Sequence, residues 1–143
     1  AGDRRTVGRL LGSFGQVLEL PEAVFDSVTA ISGSGPAFFA YLLDKMAEGA
    51  TRKGLPRETA LRLAAQTMFG TAKLMMAHHI DPRDLVASVA TPHGTTAAGL
   101  AVIEKHGTAA VLRNAVRAAA RRCRELAPPR RRVPAGQAKQ RRR

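Results

Sequence analysis

The segment Thr91-Pro92-His93-Gly94-Thr95-Thr96 has the residue types best suited to binding a small anion. Pro92 disfavours helical backbone at the residue before it, so it ends the preceding helix. Gly94 permits a sharp turn or a close approach of the backbone to a ligand. The hydroxyls of Thr95 and Thr96 can cap N–H groups at the start of the next helix. Because a helix N-terminus attracts carboxylates and phosphates, the segment predicts an anion-binding loop; a plain helix–loop–helix corner is the alternative.

A second irregular stretch interrupts a helical pattern with two glycines, two hydroxyls and a proline: Ser32, Gly33, Ser34, Gly35 and Pro36. We expect the two segments to converge on one small anionic ligand, with a helix kink or tight corner as the alternative for the second. No nucleophile–base pair is evident, since the serines have no neighbouring histidine and Gly-Ser-Gly is not the longer nucleophile-elbow pattern. His93 is an imidazole inside a loop, a position that is more often exposed than catalytic.

Helices must position these two segments, because apolar residues recur at three- and four-residue steps through most of the chain. Aromatic residues make up 4% of the sequence, and alanine and leucine provide the apolar fraction, which favours closely packed helices over a sheet. Proline and glycine fall at the ends of these runs. The pattern predicts an all-α body over residues 21–127, with apolar runs at Phe38–Ala50, Leu61–Met76, Leu85–Val89, Leu100–Ile103 and Val111–Leu126.

Residues 1–20 do not fit this helical body. Residues 4–13 have the spacing of the end of an amphipathic helix, and Gln16–Leu20 alternates well enough for a short strand. A lone strand needs partners, and no other convincing strand is found in the sequence. The chain also begins with Ala1 rather than Met. We therefore expect residues 1–20 to be the remnant of a preceding α/β domain or linker.

Basic residues are concentrated at the end of the chain. Residues 128–143 contain seven arginines and lysines and no acid, and subtracting these from the net charge of +12 leaves +5 for the rest. Prolines and a glycine interrupt this stretch, so we expect a disordered tail. It has no aromatic residue for base stacking and no helical register for groove reading. We interpret it as a solvated tail rather than a nucleic-acid site.

Several other functional classes are disfavoured. Cys123 is the single cysteine; it lies on a helical apolar stripe and is interpreted as a core thiol. Adjacent His78 and His79 project about 100° apart on a helix and are poor joint metal ligands, so no metal site is predicted. No signal peptide or membrane-length apolar run is present, so the cytoplasm is the expected compartment. The Phe38–Ala50 and Leu61–Met76 helices offer more apolar surface than a small body covers alone, which predicts a homodimer.

Several spaced motifs resemble one family. Residues 29–37 resemble the signature that opens the C-terminal domain of pyrroline-5-carboxylate reductase. The turn Gly54–Arg57 and the helix segments Ala64–Thr67 and Gly70–Lys73 resemble the elements that follow it. Pro92–Thr96, with Ala98–Leu100, resembles the family's Pro-Gly-Gly-Thr-Thr segment. The motifs occur in the family's order and extend over residues 15–126, which makes the resemblance specific.

The resemblance implies an all-helical dimerisation domain, interleaved with its twin, that can build larger rings. It also implies proline biosynthesis: hydride transfer from NADPH or NADH to the ring C=N of 1-pyrroline-5-carboxylate, giving L-proline. Backbone amides of Gly94, Thr95 and Thr96 would hold the substrate carboxylate, and Thr96 would hydrogen-bond the ring nitrogen as the catalytic residue. The Ser32–Pro36 segment would border the nicotinamide end of the pocket.

Two departures from the family pattern matter. No Gly-x-Gly-x-x-Gly follows a strand, so the dinucleotide-binding domain that normally precedes this one is missing. His93 stands where the family usually has glycine; its side chain would crowd the substrate, force another turn if the position needs positive φ, or attract the carboxylate when protonated. We expect the dimerisation and substrate-binding part of the enzyme, inactive alone. The alternative is a non-catalytic helical oligomerisation module.

Overall fold

Helices make up nearly all of the chain that the computed structural model describes, which is residues 2–127. The predicted basic tail, 128–143, lies outside those residues. No strand occurs among residues 2–127, so the all-α prediction is confirmed, and no helix there is long and apolar enough to cross a membrane. The elements in order are α1 (Gly2–Gly12), a 3-10 turn (Glu22–Val24), α2 (Phe25–Val28), a π-turn (Thr29–Gly33), α3 (Gly35–Thr51), α4 (Arg57–His78), α5 (Pro82–Val89), α6 (Thr95–Lys105) and α7 (Thr108–Leu126).

The helix ends follow the local chemistry of the sequence. The Asp81 carboxylate accepts a hydrogen bond from the backbone N–H of Arg83 at 2.8 Å, and Pro82 fills the first turn of α5. Gly107 separates α6 from α7 with φ 67°, a left-handed conformation that suits glycine. Thr108, which the sequence suggests as the cap of α7, makes no capping bond, because Gly107 occupies the cap position.

The segment before the 3-10 turn corrects one prediction. Gln16–Leu20 forms no strand. A strand needs a neighbour to complete its hydrogen-bond ladder, and residues 2–127 contain none. The segment instead lies beside α1, where Arg4 is 3.5 Å from Glu19, and the two enclose an apolar groove with Phe25. That this region is the remnant of another domain remains a prediction.

The Ser32–Pro36 stretch is a second correction, because it is helical rather than an irregular loop. The backbone N–H of Ser34 donates to the carbonyl of Thr29 at 3.1 Å, the five-residue step of a π-turn. The Ser32 hydroxyl donates to the carbonyl of Val28 at 2.8 Å. Pro36 sits in the first turn of α3, where a missing N–H costs little. The glycines and proline therefore join α2 to α3 without breaking the helical path.

The interior of the single chain is very small. Its buried apolar residues among those described are three alanines, Ala30, Ala47 and Ala60. Large apolar side chains lie on the surface instead: Phe39 is 55% exposed, Phe69 62% and Met76 63%. The closest packing joins α3 to α4 and places α7 against α2 and the π-turn. A folded chain with this much uncovered apolar surface needs a further partner to cover it.

One ion pair joins α3 to α4 near their connection, and two others lie within α3 and the residue that follows it. Arg57 of α4 donates to the Asp44 carboxylate of α3 at 2.6 Å, and Lys45 and Arg52 both contact Glu48. The hydrogen bond from Arg57, with a second from Lys45, lowers the pKa of Asp44. Bonds from Lys45 and Arg52 lower the pKa of Glu48 in the same way. These pairs are solvent-exposed, so each contributes little to stability.

Removing the Arg57 charge tests this arrangement. A carboxyl whose folded-state pKa is lowered adds stability above its unfolded-state pKa and loses it as the pH falls through the folded value. Arg57→Met should therefore raise the pKa of Asp44 and weaken the acid dependence of stability. Carboxyl titration by NMR measures the pKa, and urea denaturation at several acidic pH values measures the stability. Arg52→Met is the matched control, because Arg52 pairs with Glu48 and should leave Asp44 unchanged.

The left-handed backbone at His93 gives a second prediction. His93 has φ 61°, a region that costs a residue with a side chain about 1–3 kcal/mol. Glycine removes this cost but adds unfolded-state entropy of about 0.5–1 kcal/mol, so His93→Gly should raise the free energy of unfolding by about 0–2.5 kcal/mol. Urea denaturation measures the change. His106→Gly, at φ −89°, should instead lower stability, and equal effects would contradict the assignment.

Candidate functional site

The Thr91–Thr96 segment forms a tight turn between α5 and α6. Helix α5 ends at Val89, and the N–H of Gly94 donates to the carbonyl of Thr91 at 3.0 Å. The positive φ of this turn falls at His93 rather than at Gly94, which has φ −78° and ψ 169°. The position that the family resemblance assigns to glycine therefore does adopt the left-handed conformation, with a histidine in it.

Gly94 is needed for a different reason from the one the sequence suggests. A Cβ atom built on it would collide with the Thr91 hydroxyl and lie 3.1 Å from the Thr91 carbonyl oxygen. The close approach at this glycine is thus between two parts of the turn rather than between backbone and ligand. Its amide is bonded to the Thr91 carbonyl in this structure, and the role as a carboxylate donor that the resemblance implies stays a prediction.

The N-terminus of α6 leaves a set of backbone amides for a ligand. The first N–H groups of a helix have no intrahelical partner, and Ala98 is the first residue here whose N–H bonds back, to the carbonyl of Gly94 at 3.1 Å. The predicted capping by Thr95 and Thr96 hydroxyls is wrong, because the cap position is held by Gly94, which makes no side-chain bond. The amides of Thr95, Thr96 and Ala97 therefore have no backbone partner in the described structure and form an edge available to an anion; that they bind one stays a prediction.

Thr96 connects this edge to a cavity between α4, α5 and α6. The cavity has a volume of about 470 Å³ and apolar walls that include Leu74, Val89 and Leu100. Thr96 and two α4 residues, Thr67 and Thr71, also contribute to its walls, which are almost entirely apolar. These walls can contact a small apolar ring, and the amides at the start of α6 can meet a charge attached to it.

Thr67 and Thr71 line this cavity but are not among the site residues that the sequence predicts. They lie four residues apart, so they share one face of α4. That spacing was visible, but it also fits two threonines on a helix surface, and nothing in the sequence shows that α5 and α6 lie opposite. His93, which was predicted beside the substrate, is exposed at the turn that leads into α6. Among residues 2–127, no three His, Cys, Asp or Glu side chains are close enough together to hold a metal ion.

The Ser32–Pro36 segment lies at a different cavity. Ser34 lines a space of about 470 Å³ with Thr29, Arg122 and Cys123, whereas Gly35 is buried. Within one chain the two predicted segments therefore do not meet in one cavity, and their convergence on one ligand remains a prediction for an assembly. The Ser34 amide is bonded to Thr29 within the π-turn. That the segment faces the nicotinamide cofactor stays a prediction.

Comparison with known proteins agrees with the fold. A family described as "Pyrroline-5-carboxylate reductase dimerisation" matches residues 22–126. The chain is 44% identical over 117 residues to a pyrroline-5-carboxylate reductase of Synechocystis, covering 82% of this chain and 44% of the relative. It is also 44% identical over 124 residues to one of Arabidopsis thaliana, covering 87% and 45% respectively. The chain thus spans less than half the length of these relatives.

Solved structures give the same result. The chain resembles the pyrroline carboxylate reductase of Plasmodium falciparum, solved with NADP bound, with a TM-score of 0.80 and 30% identity over 87% of this chain and 48% of that one. It also resembles the pyrroline-5-carboxylate reductase of Coxiella burnetii, with a TM-score of 0.83 and 28% identity. That match covers 90% of this chain and 48% of the other. Because the family match covers most of the described residues, the chain belongs to the pyrroline-5-carboxylate reductase dimerisation family.

Proposed function

We propose that this chain is the dimerisation and substrate-binding part of a pyrroline-5-carboxylate reductase, the enzyme that reduces 1-pyrroline-5-carboxylate to L-proline with NADPH or NADH. The observation that supports this most is that Thr96, in the first turn of α6, also lines the cavity to which Thr67 and Thr71 contribute. We infer the reaction from membership of the family, and we infer from the cavity where the substrate binds.

The substrate carboxylate binds at the N-terminus of α6 in this proposal. The amides of Thr95, Thr96 and Ala97 donate to it, and the partial positive charge of the helix end attracts it. This set replaces the Gly94 amide, which is already bonded to Thr91. His93 lies next to the turn and takes a substrate-facing position at the mouth of the site. Fixing the carboxylate fixes the ring to which it is attached, which is the positioning that reduction requires.

The imine nitrogen of the substrate meets the hydroxyl of Thr96. Reduction of a C=N bond adds a hydride to carbon and a proton to nitrogen, so a hydroxyl at the nitrogen can hold it in place as its charge changes. No protein nucleophile takes part. A nicotinamide cofactor supplies the hydride when it is bound.

The Ser32–Pro36 segment borders the nicotinamide end of the site in the assembled enzyme. Ser34 and the neighbouring glycines would contact the cofactor by packing. The Ser34 amide is not available to it, because it is bonded to Thr29 in the π-turn. The sequence has no glycine-rich dinucleotide turn, so the isolated chain should bind NADPH poorly and turn over little substrate. The alternative, a helical oligomerisation module without chemistry, keeps the fold and lacks ligand binding.

Self-association into a homodimer, with larger rings built from it, covers the apolar surface. A groove of about 520 Å³ runs between α3 and α4 and is lined by Phe39, Met46, Met68 and Met75. Its walls are almost entirely apolar and small residues such as Ala64 and Ala72 leave room for a helix from a second copy. Burial of this groove supplies the free energy that the small interior of one chain lacks.

A charge in the groove should break the dimer. Phe39→Asp places a carboxylate on a surface that association would desolvate, and should weaken self-association by about thirtyfold or more, roughly 2 kcal/mol. Sedimentation equilibrium at micromolar concentration measures the effect. Phe14→Asp is the control, because Phe14 is also exposed but lies outside the family match. A wild-type chain that is a well-folded monomer would contradict the proposal.

Ligand-dependent thermal stability tests the substrate site. L-Proline at about ten times its dissociation constant should raise the unfolding midpoint by about 2–6 °C. Prolinamide, which lacks the carboxylate, should not. Thr96→Val keeps the shape but removes the hydroxyl, and should reduce the shift. Gly94→Ala forces the turn apart and should abolish it.

Two results distinguish a substrate-binding domain from a non-catalytic oligomerisation module. Ser13→Ala is the control variant, since Ser13 bonds to the carbonyl of Leu10, neither residue lines the cavity, and the shift should stay unchanged. A wild-type chain that shows no shift with millimolar proline would favour the oligomerisation module. Rapid proline formation by the isolated chain with NADPH would instead contradict the expected dependence on a separate dinucleotide-binding unit.

A further inference from the structure

Helix α4 separates two apolar spaces that have part of their walls in common. The groove between α3 and α4 and the cavity between α4, α5 and α6 are both lined by Thr67 and Thr71. These two residues lie four apart on α4, so they follow one another along the same strip of its surface. We call Thr67 and Thr71 the shared strip. A molecule that packs in the groove along this strip therefore touches residues that also enclose the cavity.

The shared strip is open to water in one chain. Both of its threonines are exposed, and so are the groove residues Phe39 and Met76. On the side of the cavity, Leu74 is 42% exposed and Val89 is 55% exposed. One chain therefore closes neither of the two spaces that meet at the strip.

Packing within the chain holds the walls of the cavity together only loosely. Helix α4 packs closely on α3, and α6 packs on α7. Within residues 2–127, neither α5 nor α6 packs closely on α4. The distance between the α4 wall and the wall opposite it is therefore not fixed by a tight contact within one chain. Binding pockets for small molecules enclose most of the ligand surface, so an open cavity needs a further contact to reach its full affinity.

A second copy of the chain is the molecule that fits the groove. The chain belongs to a family described by its dimerisation, and no charged residue lines the groove. A surface of this kind is covered by another apolar surface, because the central part of a protein interface is poor in charge. When a second copy packs in the groove, it contacts the shared strip and restricts the position of α4 beside the cavity.

We propose that dimerisation through the α3–α4 groove and ligand binding in the cavity beside α6 strengthen each other through the shared strip. This coupling rests on the proposed function, because the cavity must bind the ligand for it to operate. A second copy fixes the α4 wall in advance, so less conformational freedom is lost when the ligand binds. The coupling is reciprocal, since a dimer that binds the ligand more tightly is itself stabilised by the ligand.

The first test compares ligand binding by the dimer and by a single copy of the full 143-residue chain. Phe39 lines the groove but not the cavity, so Phe39→Asp separates the copies and leaves the cavity walls unchanged. Calorimetry should show that L-proline binds this variant at least about fivefold more weakly than the wild-type dimer. Phe14→Asp is the matched control, because Phe14 is exposed, lines neither space and adds the same charge.

Sedimentation equilibrium of the wild-type chain measures the same coupling without a substitution. It decides the result if Phe39→Asp does not fold or if its added charge repels the ligand. Saturating L-proline should strengthen dimerisation by the square of the fivefold factor, about 25-fold, because a dimer has two sites. Prolinamide, which lacks the carboxylate, should leave dimerisation unchanged.

Two further variants locate the coupling. Thr71→Ala changes the shared strip, whereas Leu100→Ala changes a cavity wall that the groove does not share. The strengthening of dimerisation by saturating proline should be at least about threefold smaller in Thr71→Ala than in Leu100→Ala. Equal strengthening in the two variants would overturn the role of the strip.

The remaining outcomes separate this coupling from the substrate site itself. Equal proline affinity in the wild type and Phe39→Asp, with no effect of proline on dimerisation, would overturn the coupling and leave the substrate site in place. Weaker dimerisation with proline would also overturn it, since the second copy would then occupy the cavity. A wild-type dimer that binds no proline at millimolar concentration would overturn both the coupling and the substrate site.

Discussion

The apolar surface that one chain leaves uncovered is the physical constraint on which the rest of the structure depends. Three alanines are the buried apolar residues among those described, while Phe39, Phe69 and Met76 lie in water. Helices this long are stabilised mainly by packing of an apolar side. Folding and association are therefore two parts of one process, and the helix hairpin of α3 and α4 is as much an interface as a core.

Helical periodicity was enough to predict most of the fold. The runs that became α3, α4, α5 and α7 were visible because apolar residues repeat at three- and four-residue steps and because proline and glycine mark their ends. The prediction of a strand at Gln16–Leu20 was wrong. Alternation of apolar and polar residues is a local signal, whereas the hydrogen-bond ladder of a strand requires a neighbouring strand. The prediction of an irregular loop at Ser32–Pro36 was also wrong, because the segment is helical. A π-turn there accommodates glycines that a regular helix would not favour.

The site was predictable only in part, for reasons of geometry. The turn at Thr91–Thr96 could be located from Pro92 and Gly94, and the start of α6 from the apolar run behind it. Which amides stay available depends on one backbone bond, from Gly94 to Thr91, that the residue types do not specify. The contribution of Thr67 and Thr71 depends on where α4 lies relative to α5 and α6, and a single sequence carries no record of that distance.

The contact between Thr91 and Gly94 has a consequence for how binding and assembly relate. It joins the end of α5 to the start of α6 through neighbouring residues, so the direction of the α6 amides is set by about four residues of one chain. The apolar groove between α3 and α4, in contrast, is left open by one chain. Thr67 and Thr71 line both this groove and the cavity beside α6, so a change on that face of α4 alters both, whereas a change in the Thr91–Gly94 contact acts on the α6 amides alone.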